Sequence, residues 1–179
     1  APSPDERAQA LALRQSLQQL LEAVHGGDVA AFRAAAGSFS GGSLSQLRDG
    51  AGRTVLHHAA QAGHQAMVEH LVTRMGMEVN LQDQTGETPL ALAAATARVE
   101  TVRFLLDRGA QPGLRQEPSG TSALHRAASS KNLEVIGMLL DAGAPVDVAS
   151  RTGTPLCWAA GAGDAAAVAA LLSAGAATA

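Results

Sequence analysis

The sequence predicts an all-α solenoid of about five helix–turn–helix units, joined by β-hairpin-like loops and opened by a lengthened capping helix. Three observations predict it. First, "GRTVLHHAAQAGHQAMVEHLV", "GETPLALAAATARVETVRFLL", "GTSALHRAASSKNLEVIGMLL" and "GTPLCWAAGAGDAAAVAALL" align with Leu56, Leu90, Leu124 and Leu156 in register, at spacings of 34, 34 and 32 residues. A near-constant period of this length marks a repeat architecture. Second, apolar residues inside each copy recur at three and four residues, as in Val102, Leu105 and Leu106 or Val135, Ile136, Leu139 and Leu140, which is helical spacing. Third, the 179 residues are 46% hydrophobic but only 2% aromatic. Core volume must then come from leucine, valine and alanine, whose small side chains let helices pack closely.

From the amino terminus, Ser3-Pro4-Asp5-Glu6 has the form of a capping box with proline at the first helical position. Leu13, Leu17, Leu20, Leu21 and Val24 follow as one apolar stripe, with Arg14, Gln18, Gln19 and Glu22 off it. This predicts an opening helix that closes one end of the stack. "LEAVHGGDVAAFRAAAG" reads as a degenerate first unit, Leu20 answering to Leu56 and Gly27 to Gly63, and "GSFSGGSLSQLRDG" as a loop with a short helical turn near Leu44. In later units Pro89 and Pro155 suit the first turn of a helix, where a missing N–H is no loss. Asn132 and Asp164 stand where the second helix needs an N-cap. Gly109, Gly143 and Gly175 stand where it should stop in a left-handed residue.

The chain resembles the ankyrin-repeat family over nearly its whole length. The carriers are "TPL" at Thr88 to Leu90 and Thr154 to Leu156, "LH-x-A-A" at Leu56 to Ala60 and Leu124 to Ala128, and "LLDRGA" and "LLDAGA" before the next turn. The resemblance implies units at approximately 4–47, 48–81, 82–115, 116–149 and 150–179 within one domain. Ala97 and Lys131 replace the family's glycine between the two helices, so those corners either keep a negative φ or carry strain. "RQEPSGTSAL" has an extra residue and "ASRTGTPL" is shortened, both at hairpin tips, where insertions are best tolerated. The run "GAPVDVASRTGTPLCWAAGAG" resembles plant and green-algal proteins in which ankyrin repeats precede a tetratricopeptide domain. That narrower similarity implies an adaptor linked to chaperones. The alanine-rich end "AAAVAALLSAGAATA" lacks the polar face expected of a terminal cap, so further repeats or a second domain are expected beyond residue 179.

Several function classes find no support. The longest apolar runs fall short of the roughly 20 residues that span a bilayer. A lone Cys157 excludes an internal disulfide framework and suits a reducing compartment, here read as cytoplasmic with nucleus or organelle left open. Twelve arginines and Lys131 are scattered at a net charge of −3, without the basic stripe nucleic acid requires. His57, His58, His64 and His70 lack the cysteine or carboxylate spacing of a zinc site. "SGGS" is too short for a phosphate loop, and no triad is legible. The expectation is a non-enzyme without cofactor or metal.

The resemblance implies that His57 and His125 are scaffold, bonding backbone in the neighbouring turn. It places the next position, His58, Leu92, Arg126 and Trp158, on a concave face that binds a protein or peptide. Hairpin-tip residues Arg48, Asp49, Arg53, Gln82, Asp83, Gln84, Glu87, Arg115, Gln116, Glu117 and Arg151 are expected beside it. Of these, Arg53, Gln84, Glu87, Arg115, Glu117 and Arg151 join the four groove positions as the candidate contacts. Trp158, the only tryptophan, is either a groove anchor or a surface for a following repeat. The competing function is a spacer or self-association segment with no groove ligand. A regulatory arm of an enzyme encoded further along the gene is a third reading.

Overall fold

The computed structural model describes residues 15, 18–37, 44 and 47–177. The capping box at Ser3 to Glu6, the stripe positions Leu13 and Leu17, and most of the loop around Leu44 lie outside the described residues. Leu44 itself is in a 3-10 turn, as the sequence suggests.

Helical residues 18–26 form α1, followed by α2 (Val29–Ala36), α3 (Val55–Ala62), α4 (Gln65–Glu69), α5 (Pro89–Ala95), α6 (Val99–Asp107), α7 (Ala123–Ser130), α8 (Leu133–Asp141), α9 (Pro155–Gly161) and α10 (Ala165–Ser173). Each first helix packs on the next, α3 on α5, α5 on α7 and α7 on α9, while α4, α6, α8 and α10 form a second row. Two helical layers therefore enclose one elongated core. Among the described residues no strand forms, and the hairpin-like loops keep only the isolated bridges Arg115 to Ser122 and Ser150 to Gly153.

The first helices α3, α5, α7 and α9 each start from a hydroxyl residue: Thr54, Thr88, Ser122 and Thr154. Pro89 and Pro155 occupy the first turn. Asn132 caps α8 by accepting from the Val135 N–H, and Asp164 caps α10 through Ala166 and Ala167. Ala97 and Lys131 adopt φ of 54° and 57°, so of the two alternatives open at those corners the strained one holds. An L-residue there costs about 1 kcal/mol that glycine would avoid.

The uneven spacings have local causes. α4 runs on into a single π-turn, His70–Arg74, in which the Met75 N–H reaches the His70 carbonyl five residues back. Leu71 to Gly76 is one residue longer than Leu105 to Gly109, and the wider turn absorbs the surplus without moving Leu71, which is fully buried. The second surplus residue sits in the hairpin from Gln116 to Thr121, and the last hairpin lacks the residue that follows the glycine in the others. The same bond closes all four hairpins regardless: the N–H of Asp49, Asp83, Gln116 and Ser150 donates to the carbonyl of Arg53, Glu87, Thr121 and Gly153. Length variation is confined to places that leave the stacking register intact.

Leu56 and Leu124 are fully buried and Leu90 nearly so, whereas Leu156 is only partly buried. Burial of this position comes from both flanking units, and Leu156 has a described neighbour on one side alone.

Successive hairpins touch through backbone. The Gln84 N–H donates to the Ala51 carbonyl at 3.0 Å and the Arg151 N–H to the Ser119 carbonyl at 2.8 Å. Gly86, at φ 78°, faces the following hairpin so closely that a Cβ would lie 2.9 Å from Gln116 Cα and 2.9 Å from Glu117 N. Gly109, at φ 83°, has open space where its Cβ would go. Gly86→Ala therefore meets conformational strain and a backbone clash, and Gly109→Ala strain alone. We expect urea midpoints to fall by the equivalent of about 2–3 kcal/mol for Gly86→Ala and about 1 kcal/mol for Gly109→Ala.

Candidate functional site

The face formed by the first helices and hairpins rests on two histidines. The Thr54 N–H donates to His57 Nδ1 at 3.1 Å, and Thr54 Oγ1 approaches the same nitrogen at 2.8 Å. Nδ1 is thus an acceptor and Nε2 carries the proton, which it donates to the Glu87 carbonyl at 3.1 Å. His125 repeats the arrangement, with Ser122 on Nδ1 and the Gly153 carbonyl on Nε2 at 3.1 Å. Each imidazole caps its own helix and ties it to the next hairpin, at the carbonyl that also closes that hairpin. The scaffold role expected of both is what the structure shows. Ala91 and Cys157 occupy the same position in the other two copies, with the Thr88 and Thr154 hydroxyls accepting from their N–H groups.

Above this scaffold runs a ladder of paired charges. Arg53 donates through Nε to Asp83 Oδ2 and through Nη2 to Glu87 Oε2, each at 3.1 Å. Glu87 Oε1 meets Arg126 Nη2 at 2.6 Å, and the same Nη2 reaches Gln116 Oε1 at 3.2 Å. Three consecutive units are stitched by one carboxylate held between two guanidinium groups. Asp83 Oδ1 accepts from the Thr85 N–H, the Thr85 hydroxyl and the Glu87 N–H. Burial alone would raise its pKa, but the bonds from Thr85, Glu87 and Arg53 outweigh it and hold the carboxyl below its ordinary value. Asp83, Glu87 and Gln116 are buried. Sequence reasoning assigned these tips to solvent or partner and missed that they pair with one another. The signal was present: Arg53 and Glu87 are opposite charges at equivalent positions, each directly after a hairpin glycine.

The four groove positions differ in what they offer. His58 Nε2 pairs with Asp49 Oδ2 at 2.8 Å, and its ring meets the edge of His25 at 5.1 Å. Leu92 is 3% exposed and presents almost no surface. The Arg126 side chain is 31% exposed. Trp158 is half-buried, its indole edge-to-face with His125 at 5.4 Å and its Nε1–H donating to Thr152 Oγ1 at 3.1 Å. Among the tips, Gln84, Arg115, Glu117 and Arg151 are exposed, although Arg115 Nη2 is engaged by the Ala149 carbonyl at 2.7 Å. Arg126 and Trp158 thus stand at matching positions of α7 and α9, which pack together, while Leu92 and Glu87 are absorbed into the protein.

Among the described residues, no group of three or more histidine, cysteine or acidic side chains gathers to hold a metal, and no helix is long and apolar enough to cross a membrane. The chain matches the family described as ankyrin repeats (3 copies) over residues 20–116 and 112–178. No curated protein matches it.

The histidine ties carry a pH dependence. Burial, working against the bond to the Glu87 carbonyl, lowers the His57 pKa to about 4; burial also lowers that of His125. Protonating Nδ1 would put a proton where the Thr54 N–H points. In the unfolded chain a histidine takes up its proton near pH 6.5, so below that pH the unfolded state binds more protons than the folded one. Stability is fully present above pH 6.5 and declines until the folded pKa is reached. Urea denaturation between pH 7 and 4 should show a loss on the order of 3 kcal/mol traceable to His57, with a flatter profile in His57→Gln.

Proposed function

The chain belongs to the ankyrin-repeat family, and we propose that it is a recognition module, an adaptor or scaffold that takes a protein or peptide on its concave face and hairpin tips. Repeats of this family generally mediate protein–protein interaction, and no catalytic family matches the chain. In the proposed reading residues 1–179 act as one domain and bind without cofactor. Its contacts are Arg126 and Trp158 first, then His58 and the tips Arg53, Gln84, Arg115, Glu117 and Arg151. Leu92 and Glu87 support the wall they line.

The observation that carries the reading is the half-buried Trp158 and the partly exposed Arg126 at matching positions of two helices that pack together. Tryptophan and arginine dominate interface hot spots, where truncation often removes about 2 kcal/mol or more. Both are held in place by the scaffold, Trp158 by His125 and Thr152, Arg126 by Glu87 and Gln116. A partner would therefore meet anchors already ordered, which lowers the entropic cost of binding.

The narrower resemblance around "GAPVDVASRTGTPLCWAAGAG" supports placing the module in a longer, chaperone-linked ankyrin–tetratricopeptide protein, and a lone cysteine supports a cytoplasmic setting. A second reading, association through the end of the stack, draws on Leu172, 41% exposed on α10, and on the partly buried Leu156. Affinity capture with the wild-type chain and with Trp158→Ala and Arg126→Ala separates the two. The groove reading expects each substitution to reduce partner recovery at least about tenfold, with melting temperatures retained. Undiminished capture by both, together with concentration-dependent association abolished by Leu172→Ser, would replace it with the second.

A further inference from the structure

Arg126 is less well satisfied than any other side chain in the ladder. A guanidinium carries five N–H donors in a planar fork. Both recorded contacts of Arg126 run through one nitrogen, Nη2, to Glu87 Oε1 at 2.6 Å and Gln116 Oε1 at 3.2 Å. Its Nε is buried, and among the described residues it is the one buried side-chain nitrogen or oxygen that lacks a hydrogen-bond partner. Glu87 cannot remedy this, because its second oxygen is held by Arg53 Nη2 at 3.1 Å. A carboxylate that meets each of two arginines through a single oxygen gives neither of them the two-point fork that makes such pairs strong.

We propose that this end of the groove receives an acidic peptide segment, one carboxylate of which docks on Arg126 while a neighbouring apolar side chain covers the indole of Trp158. The inference rests on the groove reading above and names the chemistry of its occupant. Three observations converge on it. The Arg126 side chain is 31% exposed and spends only Nη2 on Glu87 and Gln116, so a ligand approaches it from the solvent side and not at the buried Nε. The charges of Arg53 and Arg126 are balanced within the ladder by Asp83 and Glu87, whereas the adjoining hairpins, residues 115–122 and 150–154, add Arg115 and Arg151 against the single acid Glu117. The arriving segment therefore meets a surplus of positive charge. Finally, the Trp158 Nε1–H is already committed to Thr152, which leaves the ring to act as an apolar surface. An acid followed by an apolar residue is the pairing this geometry fits.

The test uses the full 179-residue chain and three fluorescein-labelled octapeptides in which leucine alternates with glutamate, glutamine or lysine, followed by anisotropy at low and high salt. We expect the glutamate peptide to bind about tenfold more tightly than the glutamine one, as a charge-assisted hydrogen bond implies, and to lose that advantage as salt rises. The lysine peptide should bind weakest. Arg126→Gln should erase the preference for glutamate, and Arg103→Gln, on the opposite layer, should keep it. Because Arg126→Gln leaves Glu87 with one arginine, the double variant Glu87→Gln/Arg126→Gln serves as a second version with the ladder's charge restored, and it should show the same loss. Equal binding of the glutamate and glutamine peptides, or a preference that survives in both variants, overturns the proposal. If the equal binding still depends on Trp158, the groove reading stands without it. Failure of all three peptides to bind also overturns the proposal, and the capture experiment then decides the groove reading separately.

Discussion

A helix pair of this size cannot cover its own apolar face, and everything else in the structure follows from the need to borrow cover from a neighbour. Leu56, Leu90 and Leu124 vanish from solvent because a unit lies on each side of them, and Leu156, flanked on one side among the described residues, does not. The core is therefore a chain of nearest-neighbour interfaces and not a single nucleus. Such a chain tolerates error in loop length only where the register of the next interface is untouched. That is where the variation lies: a π-turn after α4, one residue more in the third hairpin, one fewer in the last.

The polar side of the stack obeys the same constraint. Stacking the hairpins buries backbone carbonyls and carboxylates that would otherwise bond to water, and a buried polar group must find a partner. A neutral imidazole with its proton on Nε2 supplies one such partner twice, for the carbonyls of Glu87 and Gly153. The arginine and carboxylate ladder supplies others for Asp83, Glu87 and Gln116. Function enters where this internal satisfaction stops. Along the ladder the charges neutralise one another, but at Arg126 one guanidinium is only partly engaged, and at Trp158 an indole is fixed without being covered.

The helices, their caps and their order were legible in the sequence because each is encoded locally. The proline or hydroxyl residue at a start, the apolar spacing, and the glycine at a stop all lie within one turn of what they specify. Ala97 and Lys131 were ambiguous because a left-handed residue without glycine is decided by the packing around it and not by its own preference. The π-turn left a trace in the distance from Leu71 to Gly76, yet a one-residue surplus reads equally well as a longer loop. Of the candidate face, the histidine ties were readable as scaffold through their recurrence. The fates of Leu92 and Glu87 were not, since burial of a groove residue depends on side chains one repeat away. Sequence spacing showed that Arg53 and Glu87 are equivalent in position but not that their side chains reach across the gap between units.

Native-state hydrogen exchange tests the nearest-neighbour account most directly. If each unit is held by the two beside it, amide protection should be graded along the chain, greatest in α5 and α7 and falling towards α2 at one end and α10 at the other. Uniform protection lost in one global event, or protection greatest in α10, would contradict a stack built from pairwise interfaces.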